Sequence, residues 1–276
     1  MREFAGKTAV VTGAASGMGR AFATRYAQEG MRVVMADIEA PALEAAANVL
    51  RDAGYDVLAV VCDVSKLENI AALARQAVEA YGGVHVVSNN AGVEGYLDGA
   101  IWEATDKDWA WTFGVNFWGP VNVMRTFLPL MLASGEEGHM VNTASTTGLV
   151  MGGNMYGITK HAVVAMTETA YLELKRRDAK VGISVLCPGL VDTRLFEGSR
   201  NRPAELRNDP TAPLPEPRRI LQGAMPPSQV AEIVLQGIRD QQFYILTDRD
   251  WDERMKTRLD NVLNRRNPEV APGLGR

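Results

Sequence analysis

Two residues that could move a proton lie four positions apart in the stretch NMYGITKHAV, residues 154–163: Tyr156 and Lys160. A four-residue step on an α-helix places both side chains on one face, beside the same ligand. Tyrosine, with an ordinary pKa of about 10, is a poor base near neutral pH, but a neighbouring cation favours the phenolate and lowers that pKa. The spacing therefore predicts an acid/base pair. The alternative is a packed ring that shares a helix face with a solvated amine.

Ser145 closes the strand-like run HMVNTAS, residues 139–145, and precedes Tyr156 by 11 residues. A hydroxyl in this place can hydrogen-bond a substrate oxygen and stabilise the charge that develops on it. Within TASTTG, residues 143–148, a serine can equally serve as a turn or cap residue. Both interpretations stay open on Ser145 alone.

Glycines follow the first apolar run of the chain, in TGAASGMGR, residues 12–20. Gly13 permits a tight turn, Gly17 lets the backbone approach a pyrophosphate, and Gly19 allows a helix to pack closely on a strand. The helix that opens here would offer free N–H groups and a partial positive charge to phosphates, and Ser16 could add a hydroxyl. The run predicts a dinucleotide-binding loop.

Asp37 ends the second apolar run, MRVVMAD, 18 residues after Gly19. An acid at this point is suited to bond the 2′-hydroxyl of an adenine ribose, and its charge would repel the 2′-phosphate of NADP. None of Ser16, Ile38 and Glu39 supplies the cation that such a phosphate would need. NAD is therefore favoured over NADP as the cofactor.

Short β-branched runs that alternate with longer Ala-rich segments must position these residues, and this alternation is typical of parallel strands joined by helical crossovers. Strands are predicted at residues 7–13, 31–37, 56–64, 84–92, 139–145, 182–189 and 243–248. Helices are predicted at residues 17–30, 41–54, 65–82, 106–132 and from near Tyr156. Pro41 and Ser65 are expected to start helices, and Gly54 and Gly82 to end them.

Several of the strands are continuously apolar, which favours a sheet buried on both faces. We therefore expect an α/β fold with a doubly wound, parallel, seven-stranded sheet in a single domain, residues 1–276. Residues 194–227 break the alternation and hold seven of the 13 prolines. A long connection of this kind is often a lid over a substrate site, although it can also be a passive surface insertion.

Composition argues against several other classes of protein. With 46% hydrophobic and 22% charged residues, a net charge of -4 and three histidines, the chain offers no basic field for a nucleic acid and no spacing typical of a metal site. No apolar run approaches the ~20 residues of a membrane span, and no signal peptide is evident. Cys62 and Cys187 are expected to be reduced core thiols. The predicted location is the cytoplasm.

Taken together, the motifs resemble the short-chain dehydrogenase/reductase family. The family's order is followed by TGxxxGxG from Thr12, CDV from Cys62, NNAG from Asn89, an asparagine at 116, a strand ending in Ser145, YxxxK from Tyr156 and PGLVDT from Pro188. The resemblance covers roughly residues 6–195. It implies a Rossmann-like fold with a cofactor-binding half at about 6–145, and a catalytic helix, lid and C-terminal extension in 146–276.

The resemblance also implies roles for individual residues. Tyr156 would be the acid/base, Lys160 would perturb it and bond the nicotinamide ribose, Ser145 would bind the substrate oxygen, and Asn116 would support a water-linked proton relay. The implied cofactor-binding residues are Gly13, Ser16, Gly17, Met18, Gly19, Asp37, Asp63, Val64, Asn90, Ala91, Gly92, Tyr156, Lys160, Pro188, Gly189, Val191 and Thr193.

The step from Ser145 to Tyr156 is shorter than in the family, and the loop before Tyr156 usually borders the substrate. Thr143 would lengthen the step, but Ser145 fits its neighbours Asn142 and Gly148 better. Besides Ser145 and Tyr156, the candidate substrate residues are Glu94, Tyr96, Met151, Met155, Leu190 and Phe196. Their apolar character suits a hydrophobic or aromatic secondary alcohol.

The function predicted is hydride transfer between NAD(H) and such an alcohol or its ketone. Two alternatives stay open: an NADP-dependent ketoreductase, and a non-catalytic nucleotide-binding regulatory protein of the same fold. The partner expected is a small-molecule substrate, with no nucleic acid and no membrane. Family likeness further implies a homodimer or homotetramer.

Overall fold

The computed structural model describes residues 1–96, 99–150, 152, 154–209, 211 and 223–268. Within these ranges seven strands form one sheet in which every neighbouring pair is parallel, in the order β3-β2-β1-β4-β5-β6-β7. The strands are β1 Thr8–Thr12, β2 Arg32–Asp37, β3 Val57–Val61, β4 Val86–Asn89, β5 Gly138–Thr143, β6 Val181–Cys187 and β7 Tyr244–Leu246. The predicted doubly wound, seven-stranded α/β fold is confirmed.

Helices of the described ranges cover both faces of the sheet. They are α1 Gly17–Gln28, α2 Ala40–Asp52, α3 Leu67–Tyr81, α4 Asp106–Phe113, α5 Gly119–Ser134, α6 Asn154–Arg176, α7 Pro227–Arg239 and α8 Asp252–Leu263. The helix predicted at 106–132 is divided, because the π-helical turn Gly114–Trp118 separates α4 from α5. The register of the backbone shifts at this turn, which becomes important for Asn116.

The core has two halves because successive strand side chains point to opposite faces of the sheet. On one face, Val11 and Val33 join Phe22 and Tyr26 of α1. The other face has its own apolar cluster, which includes Ile70 of α3. The single polar atom of buried Tyr26 is satisfied by a 2.8 Å hydrogen bond with Ser88 Oγ. Burial on both faces leaves the ends of the strands as the place for a site.

The predicted helix ends are mostly confirmed. Pro41 lies in the first turn of α2, and Gly54 and Gly82 follow α2 and α3 with φ of 87° and 80°. Ser65 as a helix start is wrong, since α3 begins at Leu67. The N–H and hydroxyl of Ser65 instead both donate to Asp63 Oδ1, at 2.9 and 2.7 Å.

The predicted lid has local structure in its described part. Residues Leu195–Asn201 and Ala204–Leu206 form 3-10 turns, and Val191 pairs with Met225 near the end of the segment. These short turns have no amphipathic period that a sequence pattern could reveal. Their place is set by contacts with the body of the domain.

Candidate active site

A cleft lies along the carboxyl ends of the strands, where open α/β sheets bind ligands. One end, here called the Asp37 end, is at Asp37 and Glu39, and Tyr156 and Lys160 line the same cleft. The predicted cofactor residues that line it are Gly13, Ser16, Gly17, Met18, Asp37, Asp63, Val64, Asn90, Ala91, Gly92, Tyr156, Lys160 and Thr193. Residues far apart in sequence therefore meet as one surface.

The glycine loop has the geometry expected from its spacing. Gly13 and Gly17 have φ of 67° and 52°, a region that other residues rarely adopt. A Cβ on Gly19 would overlap the carbonyl oxygen of Gly13 and approach Asn90 Nδ2 to 2.9 Å, so close packing requires glycine there. Ser16 caps α1 without a side-chain hydrogen bond, and the first turn of α1 has no acidic residue. The N-terminus of α1 therefore suits an anion.

Asp37 has a second task that its position in the sequence does not reveal. Its Oδ2 accepts a 2.9 Å hydrogen bond from the N–H of Ala15, and its Oδ1 accepts one of 3.0 Å from Glu39. Burial raises the pKa of this carboxyl, against the lowering effect of these backbone donors. Asp37 thus fixes the glycine loop as well as facing the cleft.

The NNAG turn is fixed to the glycine loop through Thr12. The hydroxyl of Thr12 accepts hydrogen bonds from the N–H groups of Asn90 and Ala91 at 2.9 and 3.1 Å, and Asn90 Nδ2 donates to Thr12 O at 3.1 Å. Residues 78 and 79 positions apart are held together in this way. We interpret Thr12 as a positioning residue.

Asn116 is fully buried in the π-helical turn, and both ends of its amide are occupied. Its Oδ1 accepts from Val93 N and its Nδ2 donates to Val93 O, each at 2.8 Å. A Cβ on Gly92 would lie 3.4 Å from Asn116 Oδ1 and 3.5 Å from Lys160 Nζ. Val93 thus fixes the orientation of the Asn116 side chain, and the proton relay at Asn116 stays a prediction.

Lys160 is 2% exposed and lies beside Tyr156 at the cleft. Its Nζ donates a 3.0 Å hydrogen bond to Thr143 O and lies 5.3 Å from the centroid of the Tyr156 ring. Burial lowers the pKa of Lys160 to about 8. The predicted helical spacing therefore brings the two side chains together, and the alternative of a solvated amine is wrong.

The expected lowering of the pKa of Tyr156 is not observed. Desolvation of its hydroxyl raises the pKa to about 12, and the hydrogen bond with Ser145 offsets only part of this. The cation beside the ring is itself desolvated, and it does not compensate for the loss of water. Tyr156 is therefore a protonated hydroxyl at neutral pH.

Ser145 is a cap residue, as one interpretation of its sequence predicted, and its role toward a substrate oxygen stays a prediction. Its Oγ accepts a 3.2 Å hydrogen bond from the N–H of Thr147, as a cap of the 3-10 turn Thr146–Gly148. The same side chain lies close enough to the hydroxyl of Tyr156 to lower its pKa. Thr143, the other hydroxyl considered, binds Lys160 through its carbonyl group.

Of the PGLVDT segment, Thr193 lines the cleft, with its Cγ2 3.1 Å from where a Cβ of Gly17 would lie. The predicted cofactor residues Pro188, Gly189 and Val191 do not line it. Pro188 O accepts from Thr146 N at 3.0 Å, and Gly189 N donates to Thr247 Oγ1 at 3.0 Å. This segment is held by β7 and its neighbours, which the local motif cannot show.

The predicted substrate residues are corrected most strongly. Met155 is 0% exposed and belongs to the core, because it lies on the inner side of α6. Glu94 is buried and accepts hydrogen bonds from the N–H and hydroxyl of Ser199, at 3.0 and 2.8 Å. It supports the lid and does not line the cleft. Leu190, Tyr96 and Phe196 are partly exposed but are not part of the cleft lining, and Met151 lies outside the described residues.

Residues of the lid line the cleft in places that sequence reasoning missed. Arg194, Leu195, Arg200 and Asn201 line it, together with Glu39. Arg200 forms an ion pair with Glu39, 161 positions away. A lid arginine in a basic stretch has no local pattern that predicts its partner, so only the fold reveals this pair.

The next part of the lid is bound to α4. Arg202 Nη1 donates to Asp108 Oδ1 at 2.8 Å, and its guanidinium lies 5.0 Å from the centroid of the Trp111 ring. Asn208 Nδ2 donates to Asp108 Oδ2 at 3.1 Å. The contacts at Ser199, Arg200 and Arg202 together fix the lid to three different acids of the domain body.

Among the described residues, no three side chains of the kinds that ligate metals lie close enough together to hold a metal ion. The helices of the same ranges include none with the length and apolar character to cross a membrane.

The short chain dehydrogenase family model matches residues 7–204. The chain is 36% identical over 258 residues to the 1-deoxy-11-beta-hydroxypentalenate dehydrogenase of Streptomyces avermitilis, a match covering 92% of this chain and 89% of that protein. It is 32% identical over 282 residues to the CLA biosynthesis dehydrogenase/reductase of Lactiplantibacillus plantarum, covering 98% of both.

Among solved structures, a short chain dehydrogenase/reductase from Burkholderia phymatum in complex with NAD is similar over nearly the whole fold. The TM-score is 0.92 at 41% sequence identity, with 99% of this chain and 100% of that chain covered.

Proposed function

Because this chain belongs to the short chain dehydrogenase family, we propose that Tyr156 is the acid/base of a hydride transfer between NAD and a secondary alcohol or its ketone. The chain is an oxidoreductase, and the nicotinamide of the bound cofactor supplies or accepts the hydride. One observation carries the assignment: Tyr156 and Lys160 line the same cleft as the glycine loop and Asp37.

The protein's own task is to hold and move one proton. With a pKa of about 12, Tyr156 is protonated at neutral pH and can donate to a carbonyl oxygen during reduction. During oxidation Tyr156 would take the alcohol proton and give up its own to the neutral amine of Lys160, which has a pKa of about 8. Ser145, which lies beside Tyr156, would hold the substrate oxygen.

The cleft fits NAD by the chemistry of its lining. The N-terminus of α1 is free of acids and side-chain caps, as a pyrophosphate requires. Asp37, Glu39 and Asp63 line the cleft and favour ribose hydroxyls over a phosphate. The NADP-dependent alternative is favoured by the two arginines that line the same cleft, Arg194 and Arg200.

A hydrophobic or aromatic alcohol is the substrate class that we propose. The cleft lining includes Val93, Trp111, Val115 and Leu195. Apolar walls with a few polar groups favour such ligands. These four residues, rather than Glu94 and Met155, are where substrate preference should be sought.

Incubation with NAD and a panel of aliphatic, alicyclic and aromatic secondary alcohols, followed at the absorbance of reduced nicotinamide, tests this function. Turnover should be highest with apolar alcohols and higher with NAD than with NADP. Absence of turnover with every alcohol and with every matching ketone would contradict the proposal. The non-catalytic alternative would then be favoured.

A homodimer or homotetramer and a cytoplasmic location stay predictions. Trp102 and Trp118 are 84% and 52% exposed, and exposed aromatic side chains of this size favour contact with a second chain. Light scattering on the purified protein would determine the assembly.

A further inference from the structure

The Asp37 end of the cleft contains a cation that comes from the lid. Arg200 lines the cleft together with Asp37 and Glu39. Its guanidinium makes two hydrogen bonds to the carboxylate of Glu39. Nε donates to Oε2 at 3.2 Å, and Nη2 donates to Oε1. Asn201 Nδ2 donates to the same carboxylate at 2.9 Å. Glu39 thus binds two consecutive lid residues at the end of β2.

The pairing decides what Arg200 can bind. A guanidinium fork matches a carboxylate or a phosphate equally well, and here it is occupied by the carboxylate. Burial raises the pKa of Glu39, but hydrogen bonds from Arg200 and Asn201 outweigh it, so that the net pKa is lowered. Glu39 is therefore charged at neutral pH and neutralises Arg200.

Arg200 also makes hydrogen bonds that do not depend on Glu39. Its Nη1 donates to Glu197 O at 2.8 Å and to Arg194 O at 3.4 Å. These carbonyl groups belong to the lid itself, and they hold the guanidinium at its place when the charge of Glu39 is removed. The guanidinium of Arg200 would then face the cleft without the carboxylate of Glu39 as its partner.

We propose that Glu39 is a specificity-determining residue, which favours NAD over NADP by occupying the guanidinium of Arg200. The inference rests on the proposed function. A 2′-phosphate arriving at this end would have to displace Glu39 from Arg200 and lie near two carboxylates, Asp37 and the displaced Glu39. Without the charge of Glu39, one repulsion disappears and one phosphate ligand becomes available.

Alternatively, the Arg200–Glu39 pair could be purely structural and hold the lid against the end of β2. A purely structural pair would affect the binding of NADH and NADPH alike, because both place the same adenosine and pyrophosphate in the cleft. Selectivity requires instead that the two cofactors respond differently. The ratio of the two dissociation constants separates the roles.

Titration calorimetry with NADH and NADPH on the full chain tests the inference without any turnover. Glu39→Gln keeps the size of the side chain and removes its charge. The matched control is Glu44→Gln on α2, the helix that follows Glu39, where Glu44 pairs with Arg51 at 2.5 Å and does not line the cleft. The double variant Glu39→Gln/Arg200→Gln removes the fork as well.

In Glu39→Gln we expect NADPH to bind about tenfold tighter or more, with NADH within about threefold of the parent, because only the 2′-phosphate gains a ligand. Glu44→Gln should leave the ratio unchanged, and the double variant should lose the gain. The inference is overturned if the ratio of the NADH and NADPH dissociation constants is the same in Glu39→Gln as in Glu44→Gln. It is also overturned if the gain in NADPH affinity persists in the double variant. A parent that binds neither cofactor overturns the proposed function itself, whereas a parent that binds NADH with a flat ratio in the variants overturns only this inference.

Discussion

The amine of Lys160 donates a 3.0 Å hydrogen bond to the carbonyl oxygen of Thr143, the last residue of β5. This bond fixes the amine beside Tyr156, and Lys160 is only 2% exposed. An amine held by a neutral carbonyl has no charged partner to offset desolvation. Burial of Lys160 at this position both lowers the pKa of its amine and places the amine beside the proposed acid/base.

The rate should depend on pH through Lys160. Its pKa is lowered to about 8, so the amine is protonated below that pH and neutral above it. Alcohol oxidation, which needs a proton acceptor, should rise with pH and level off above about 8. Ketone reduction, in which protonated Lys160 would return a proton to Tyr156, should fall above the same pH.

Profiles of kcat/KM against pH for both directions measure this dependence. Lys160→Arg keeps a charge at every accessible pH, so the inflection near 8 should vanish and the rate should drop by a factor of about 10² or more. An unchanged inflection in Lys160→Arg would refute the role of Lys160.

Gly19→Ala should disrupt the glycine loop. The added Cβ would overlap the carbonyl oxygen of Gly13 and approach Asn90 Nδ2 to 2.9 Å. Overpacking of this kind lowers the free energy of unfolding by about 1–3 kcal/mol, and the displaced loop should lose affinity for NADH. Gly83→Ala is the control, because its Cβ would meet only His85 Cε1 at 3.9 Å. Equal effects of the two variants, measured by denaturant unfolding and NADH titration, would contradict the argument.

Asp108→Asn should loosen the lid. Asp108 is 2% exposed and binds Arg202 at 2.8 Å, and the substitution leaves that arginine charge without its partner. Breaking a largely buried pair costs about 3 kcal/mol of unfolding free energy. The KM for the alcohol should rise because the lid beside the cleft loses an anchor.

Asp106→Asn provides the comparison for Asp108→Asn, since Asp106 is exposed in the same helical turn. It removes the same charge near the N-terminus of α4 without touching the lid. The role of the Asp108 anchor would be disproved if both variants shared one KM and one unfolding free energy.

Local patterns were sufficient for the sheet and for the residues at its strand ends. Gly13, Asp37 and Lys160 each follow from spacing, because the period of a strand or helix fixes where their side chains point. The sheet then brings them together without further information. Ser145 could be placed for the same reason.

Long-range pairing decided the rest. Arg200 lies in the cleft because Glu39 binds it, and Glu94 lies outside because Ser199 binds it. The pKa of Tyr156 depends on desolvation, a property of the packed protein that helical spacing does not contain. Contacts of the lid and the degree of burial are the two features that a sequence pattern cannot supply.

Tyr156→Phe tests the central claim most directly, with the NADH dissociation constant measured beside the turnover number. Tyr171→Phe, a substitution on the same helix outside the cleft lining, is the matched control. We predict that Tyr156→Phe lowers kcat by a factor of about 10² to 10⁴ while NADH still binds, and that Tyr171→Phe has little effect on either. A kcat for Tyr156→Phe within a few-fold of the parent would contradict the assignment of Tyr156 as the acid/base.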